Sequence, residues 1–188
     1  MLDDLEKAFI YGNESENIFT IKYLNNLKNV IIIDEYADIL DEIAKKNKRR
    51  WCKYDFIIST DKSIIVIELK TRFCRIDTFA TTLFQKDKIE IIPYLKKKYN
   101  LDNSKKFYYI CLFGFIDRNM KLSDLSFDTD NNILNMPNIS YYYKVYNKKH
   151  FGDYTITYNS KNQPNFDIPI NQLVTFDNVY DKLLTGQL

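Results

Sequence analysis

The sequence predicts a mixed α/β domain, α+β in the arrangement of its elements, and three observations carry that prediction. Apolar residues recur at helical spacing in residues 15–28 and 35–46. Two apolar runs joined by a short polar turn, "KYDFIISTDKSIIVIELKTR" at 53–72, read as a β-hairpin. A further run, "KFYYICLFGFID" at 106–117, is apolar on both alternating sets and is followed by strand-like segments to the end of the chain. At 188 residues, with 45% hydrophobic and 15% aromatic residues, the chain is expected to fold as one domain with a buried core.

The elements follow in order. In "SENIFTIKYLNNLK", 15–28, Ser15 is placed to cap a helix whose stripe is Phe19, Tyr23, Leu24 and Leu27. "VIII" at 30–33 is short and apolar, a strand or an inward-packing loop end. Tyr36, Ile39, Leu40, Ile43 and Ala44 make 35–46 a second helix, acidic at its start and basic at its end, as the helix dipole favours. After the hairpin, "TRFCRIDTFATT" reads as a loop. "LFQKDKIEIIPYLKKKY" reads as a helix with Ile89, Ile92, Leu95, Lys96 and Tyr99 on one face and a kink at Pro93. Residues 118–138 carry no regular period. "ISYYYKVYN" and "DYTITYNS" read as strands, paired as a hairpin, "NFDIPI" as another strand, and "QLVTFDNVYDKLL" as a closing helix. The expected division is a core at about 14–116 and a β-rich C-terminal extension at about 117–188.

Composition narrows the chemistry. Net charge is +2, so any nucleic-acid surface must come from local clustering. The three cysteines, Cys52, Cys74 and Cys111, form neither a metal knuckle nor a paired disulfide framework, which points to a reducing, cytoplasmic compartment. No apolar run approaches a membrane span, and the acidic start "MLDDLEKAF" is not a secretory signal. Abundant Asn, Lys, Ile and Tyr fit an AT-rich genome, viral, phage or low-GC bacterial. The single histidine, His150, excludes chemistry that needs a histidine pair. If a metal takes part in catalysis, carboxylates must hold it.

The hairpin carries such carboxylates. With Thr60-Asp61-Lys62-Ser63 as the turn, opposed positions sum to 123, so Asp55 faces Glu68 across the pair. Lys70 follows two residues later on the same face, with Ile57, Ser59, Ile64 and Val66, while Tyr54, Phe56, Ile58, Ile65, Ile67 and Leu69 point to the other. Two adjacent carboxylates repel, and a divalent cation relieves that repulsion. The pattern therefore suits metal-assisted phosphodiester hydrolysis, with Lys70 positioning the water or stabilising charge on the phosphate.

An Asp, an apolar hairpin and a closing Glu-x-Lys, here Asp55 in "KYDFII" and Glu68 and Lys70 in "IVIELKT", resemble the PD-(D/E)XK nuclease superfamily. Tyr54 stands where the family's name has proline. The resemblance implies a restriction-endonuclease-like α-β-β-β-α-β core, dependence on Mg²⁺ or Mn²⁺ and cleavage of DNA, duplex or branched, by an endonuclease of resolvase or restriction type acting as a homodimer. It further implies an acidic residue from the first core helix: Glu16, then Glu14, or Asp34 or Glu35 if 35–46 is that helix. Gln85 and Lys88 match the polar position on the helix after the Glu-x-Lys strand, where the resemblance implies contact with the nucleic acid. Two alternatives stay open: a non-catalytic nucleic-acid-binding or partner-binding domain on the same scaffold, and an RNA-directed nuclease.

Two basic or aromatic clusters have a structural reading beside a functional one. Lys45, Lys46, Lys48, Arg49, Arg50 and Lys53, with Trp51 among them, make either a solvated helix end or a loop on the phosphate backbone. "SYYYKVYNKKHFGDY", with Lys144, Lys148 and Lys149, is either a half-buried strand pair or a stacking platform. Lys96, Lys97 and Lys98 read as a solvated helix end, and His150 as a loop residue.

Overall fold

A computed structural model describes residues 4–25, 31–32, 54–99, 104–121, 124, 127–128, 133–134 and 137–185. Outside these lie the expected helix 35–46, the basic segment 45–53, Cys52, Leu27, and the acidic alternatives Asp34 and Glu35.

A six-stranded mixed sheet forms the centre. Its strands are β1 (Ile31–Ile32), β2 (Phe56–Ser59), β3 (Ser63–Arg72), β5 (Lys106–Ile116), β8 (Ile139–Val145) and β11 (Val174–Thr175), side by side in that order. β3 and β5 run parallel, and every other neighbouring pair is antiparallel. Parallel neighbours need a crossover. Here it contains β4 (Thr81–Gln85) and two short helices, α2 (Lys86–Glu90) and α3 (Ile92–Tyr99). A smaller antiparallel sheet joins β4 to β10 (Pro164–Pro169) and β9 (Ile156–Tyr158). β6 (Phe127–Asp128) and β7 (Ile133–Leu134) pair separately. Beyond residue 116, β8 and β11 extend the central sheet, while β9 and β10 extend a strand of the crossover.

β3 and β5 are buried on both faces, and alternation divides their side chains between two cores. Ile64, Val66, Tyr109, Cys111, Phe113 and Phe115 face the crossover, packing with Phe84, Ile89, Ile91 and Leu95. Ile65, Ile67, Leu69, Ile110 and Leu112 face the N-terminal helix, packing with Phe19, Tyr23, Tyr141 and Phe176.

The N-terminal helix, α1 (Asp4–Phe19), runs on through a π-helical turn to Leu24. Ser15 is therefore no cap. It is fully buried mid-helix, in the i, i+4 row Tyr11, Ser15, Phe19, Tyr23. Its hydroxyl accepts from Thr71 Oγ1 at 2.7 Å, and its carbonyl accepts from the Tyr141 hydroxyl at 2.9 Å. Gly114, paired with Thr71, makes room for the neighbouring strand β8: a Cβ there would meet Ile139 Cγ2 at 3.0 Å and Tyr141 Cε1 at 3.3 Å.

Other expectations need correction. Thr81–Gln85, read as loop and helix start, is a strand because Phe166 and its neighbours pair with it. The helix after it is two helices, broken at Ile91 just before Pro93, whose ring cannot donate to the preceding turn. β8 and β9 form no hairpin. Between them α4 (Lys148–Gly152), capped by the Asn147 side chain, turns the chain away, and β9 pairs with β10. The closing "QLVTFDNVYDKLL" forms β11, a 3₁₀ turn at Phe176–Asn178 and a short helix, α5 (Tyr180–Thr185). Within the tyrosine run, Tyr141 and Tyr143 are core residues and Tyr142 stacks edge-on against Phe115, which is the half-buried strand reading. His150 is exposed, in α4 rather than a loop.

Candidate functional site

The hairpin register is the expected one. Phe56 pairs with Ile67 and Ser59 with Ile64, sums of 123, and the turn is held by Thr60 Oγ1 accepting from the Lys62 and Ser63 amides at 3.2 and 2.9 Å. The ladder stops at Phe56, one residue short of Asp55. The chain bends there, the Asp55 amide donates to the Ile67 carbonyl at 3.0 Å, and Tyr54 lands among Ile57, Ile64 and Val66 rather than on the opposite face. Asp55 therefore does not simply stand across from Glu68 as a ladder partner. Its carboxylate Oδ2 accepts the Leu69 amide at 2.5 Å, which fixes it beside the backbone that carries Glu68 and Lys70.

Glu68 is completely buried on the crossover side of β3. Its Oε1 accepts from Lys70 Nζ, and from Lys88 Nζ of α2 at 2.8 Å. Its Oε2 is buried and has no hydrogen-bond partner among the described residues. An ionised carboxylate in such a place is costly unless paired, and the two lysines supply the pairing on one oxygen only. Two more polar atoms on this side are buried and unsatisfied, Tyr109 Oη and Asp87 Oδ1. Tyr109 feels the charges of Glu68, Asp55 and Asp87, and its hydroxyl is pushed well above the ordinary phenol range, burial first and those charges after it.

Electrostatics make the strain at this site explicit. Burial, then the negative charge of Glu68, lifts Asp55 from 3.8 to about 8; Lys70 and the Leu69 amide oppose the shift, and Glu16 adds to it. Burial works against a charged Lys70, but Glu68 and Asp55 outweigh it and leave its pKa above the ordinary lysine value. A carboxyl held up by burial and like charge is one whose proton a cation readily replaces.

Of the residues singled out from the sequence, Asp55, Glu68, Lys70 and Glu16 come together here. Glu16 follows Ser15 on α1, close enough for its charge to raise Asp55. Glu14 instead accepts from Asn17 Nδ2 at 3.2 Å. Lys88, expected at a nucleic-acid surface, is buried against Glu68; it belongs to the carboxylate site. Gln85 ends β4, in register with Asn165. Tyr109 and Asp87 carried no motif signal; the only cue was the strict alternation that puts Tyr109 on the face of Val66 and Glu68.

A divalent cation suits this donor set. Asp55 and Glu68 would hold it, with the unpartnered Glu68 Oε2 as the available oxygen, and Mg²⁺ needs no more than one or two carboxylates beside water and phosphate. Among the described residues no three His, Cys, Asp or Glu side chains cluster as a closed metal cage. Cys74 and Cys111 are free thiols, and burial pushes the Cys111 thiol well up, away from nucleophilic use. No described helix is long and apolar enough to cross a membrane. Comparison of the chain with protein-family models, with curated proteins and with solved structures gives no match.

Proposed function

We propose that this chain is a metal-dependent nuclease that hydrolyses phosphodiester bonds in DNA, built on a restriction-endonuclease-like core. The observation that carries the reading is the convergence of Asp55, Glu68 and Lys70 at one end of β3, with one Glu68 oxygen buried and unpartnered. The order of elements supports it as well: a helix, the antiparallel meander β1–β2–β3, a crossover containing helices, and β5 parallel to β3.

Each residue has a role in this reading. Asp55 and Glu68 bind Mg²⁺ or Mn²⁺, which when bound neutralises the scissile phosphate and acidifies a water. Lys88 fixes Glu68 through Oε1 and leaves Oε2 without a hydrogen-bond partner among the described residues. Lys70, partly exposed and kept charged by its two carboxylate neighbours, positions the water or stabilises charge growing on the phosphate. Glu16, from α1, supplies further negative charge beside Asp55. Cutting both strands of a duplex calls for two such sites, and a homodimer provides them.

Incubation with duplex, branched and single-stranded DNA, and with RNA, in Mg²⁺ or in EDTA tests the proposal. DNA cleavage that needs Mg²⁺ and disappears in Asp55→Ala and Glu68→Ala is expected. A wild type that cuts nothing, or variants that still cut, would leave a binding scaffold; preference for RNA would change the substrate.

A further inference from the structure

We propose that the groove between the end of β3 and β4 is a nucleotide subsite. It holds one unstacked nucleotide of the bound strand, the base on Phe79 and the phosphate toward Arg72. This inference rests on the nuclease reading and deepens it, because it selects a strand whose bases are free to leave the stack: single-stranded, or distorted at the cut.

The groove encloses about 470 Å³, within the range of small-ligand sites. Ile76, Phe79, Leu83, Phe115 and Ile170 supply its apolar lining. Phe79 is 65% exposed and Leu83 40%, so a wide apolar surface is left facing water at the mouth.

The groove begins at Arg72, further along the strand that carries the carboxylate Glu68. Glu68, Lys70 and Arg72 alternate on one face of β3, each about 6.6 Å from the last along the strand. Arg72 is held in place at the groove's inner end. Its Nε donates to Thr82 Oγ1 at 3.0 Å, an Nη donates to the Leu83 carbonyl, and its guanidinium lies 5.7 Å from the Phe113 ring centre. These bonds use two of the five guanidinium N–H donors and fix the plane of the rest. The other charged residue lining the groove is Arg75, which pairs with Asp77 at 2.7 Å. No carboxylate lines it among the described residues. A fixed arginine at one end and an exposed aromatic ring at the other match a ligand with an anionic end and a flat apolar end. A nucleotide has both, and base-on-aromatic stacking is the common way single strands are held.

The test uses full-length wild type in EDTA with short single-stranded DNA oligonucleotides carrying 2-aminopurine at successive positions. Quenching at one position is expected on binding. Phe79→Ala, at an exposed ring, should melt at the wild-type temperature, lose that quenching and bind about 5- to 150-fold more weakly, the range for one lost base stack. Phe79→Trp should keep both. The subsite is overturned if Phe79→Ala binds as tightly as wild type or leaves quenching unchanged. If wild type then still cuts DNA with Mg²⁺, the nuclease reading stands without the subsite. Quenching with no cleavage would keep the subsite and sink the nuclease reading, and a wild type that neither binds nor cuts would overturn both.

Discussion

The two faces of β3 belong to the same ten residues and do opposite things. Toward α1, Ile65, Ile67 and Leu69 are buried among apolar neighbours, with Tyr141 and Phe176 completing an aromatic cluster around Phe19. Toward the crossover, Ile64 and Val66 begin in the same way, but Glu68, Lys70 and Arg72 then replace them. One strand thus spends one alternating set on cohesion and the other on a charged site. The difference teaches that the charges are tolerated because the opposite face anchors the strand, and because lysines from β3 and α2 reach the buried carboxylate.

The sharpest way to break this contrast is to exchange effects between neighbours. Ile67→Ala should lower unfolding free energy by about 2–5 kcal/mol through lost packing and a cavity, while its turnover below the melting temperature stays near wild type. Glu68→Gln keeps an acceptor for both lysines and removes the charge. Its cleavage rate should fall about 100- to 1,000-fold, and it should lose stability as well, because the lysines lose the buried charge that compensates them. Chemical denaturation and single-turnover cleavage of both variants decide it; an Ile67→Ala that no longer cuts while folded, or an active Glu68→Gln, would erase the distinction between the faces.

A smaller effect follows from Asp55. Its carboxyl titrates near pH 8 in the fold against an ordinary 3.8. Between those values the folded state keeps a proton that the unfolded chain has lost, so without a cation stability falls as pH rises from about 4 to about 8 and is flat above. Asp55→Asn retains an oxygen for the Leu69 amide and removes this penalty. Since each unit of raised pKa corresponds to about 1.4 kcal/mol, the metal-free variant should exceed wild type by about 2 kcal/mol or more at pH 8.5, and by far less at pH 5. Thermal or urea unfolding at the two pH values checks the sign; a variant less stable at pH 8.5 would mean the carboxylate is not strained.

The smallest effect concerns how α1 is held. Ser15→Ala removes the acceptor for Thr71 Oγ1 at 2.7 Å and should cost about 1 kcal/mol. It should also lower cleavage by a few-fold, by loosening Glu16. A stability loss with unchanged cleavage would separate Glu16 from the site.

The legible parts of the molecule were local. The hairpin register could be read because a polar turn and strict alternation leave one pairing that buries both apolar sets. The long apolar run of β5 announced burial on both faces. Ser15 looks like a cap because it is a polar residue before an apolar stripe; only its i±4 neighbours Tyr11 and Phe19 reveal it as part of the buried row. β4 was missed because its partner, β10, lies some 80 residues further along the chain, and no local pattern records that pairing. Of the site, Asp55, Glu68 and Lys70 were visible as charges out of place on an apolar hairpin. The bend that takes Asp55 off the ladder, and the Lys88 bond to Glu68, were not: both depend on where the crossover brings the chain back.

The central claim is that Asp55 and Glu68 form one divalent-cation site, and calorimetric titration of Mn²⁺ into the wild type, Asp55→Asn and Glu68→Gln tests it most directly. The account predicts one equivalent bound by the wild type, with affinity rising from pH 6 to pH 8 and proton release on binding as Asp55 gives up its proton, and no such binding in either variant. Equal binding by all three proteins, or none by the wild type at pH 8, would contradict it.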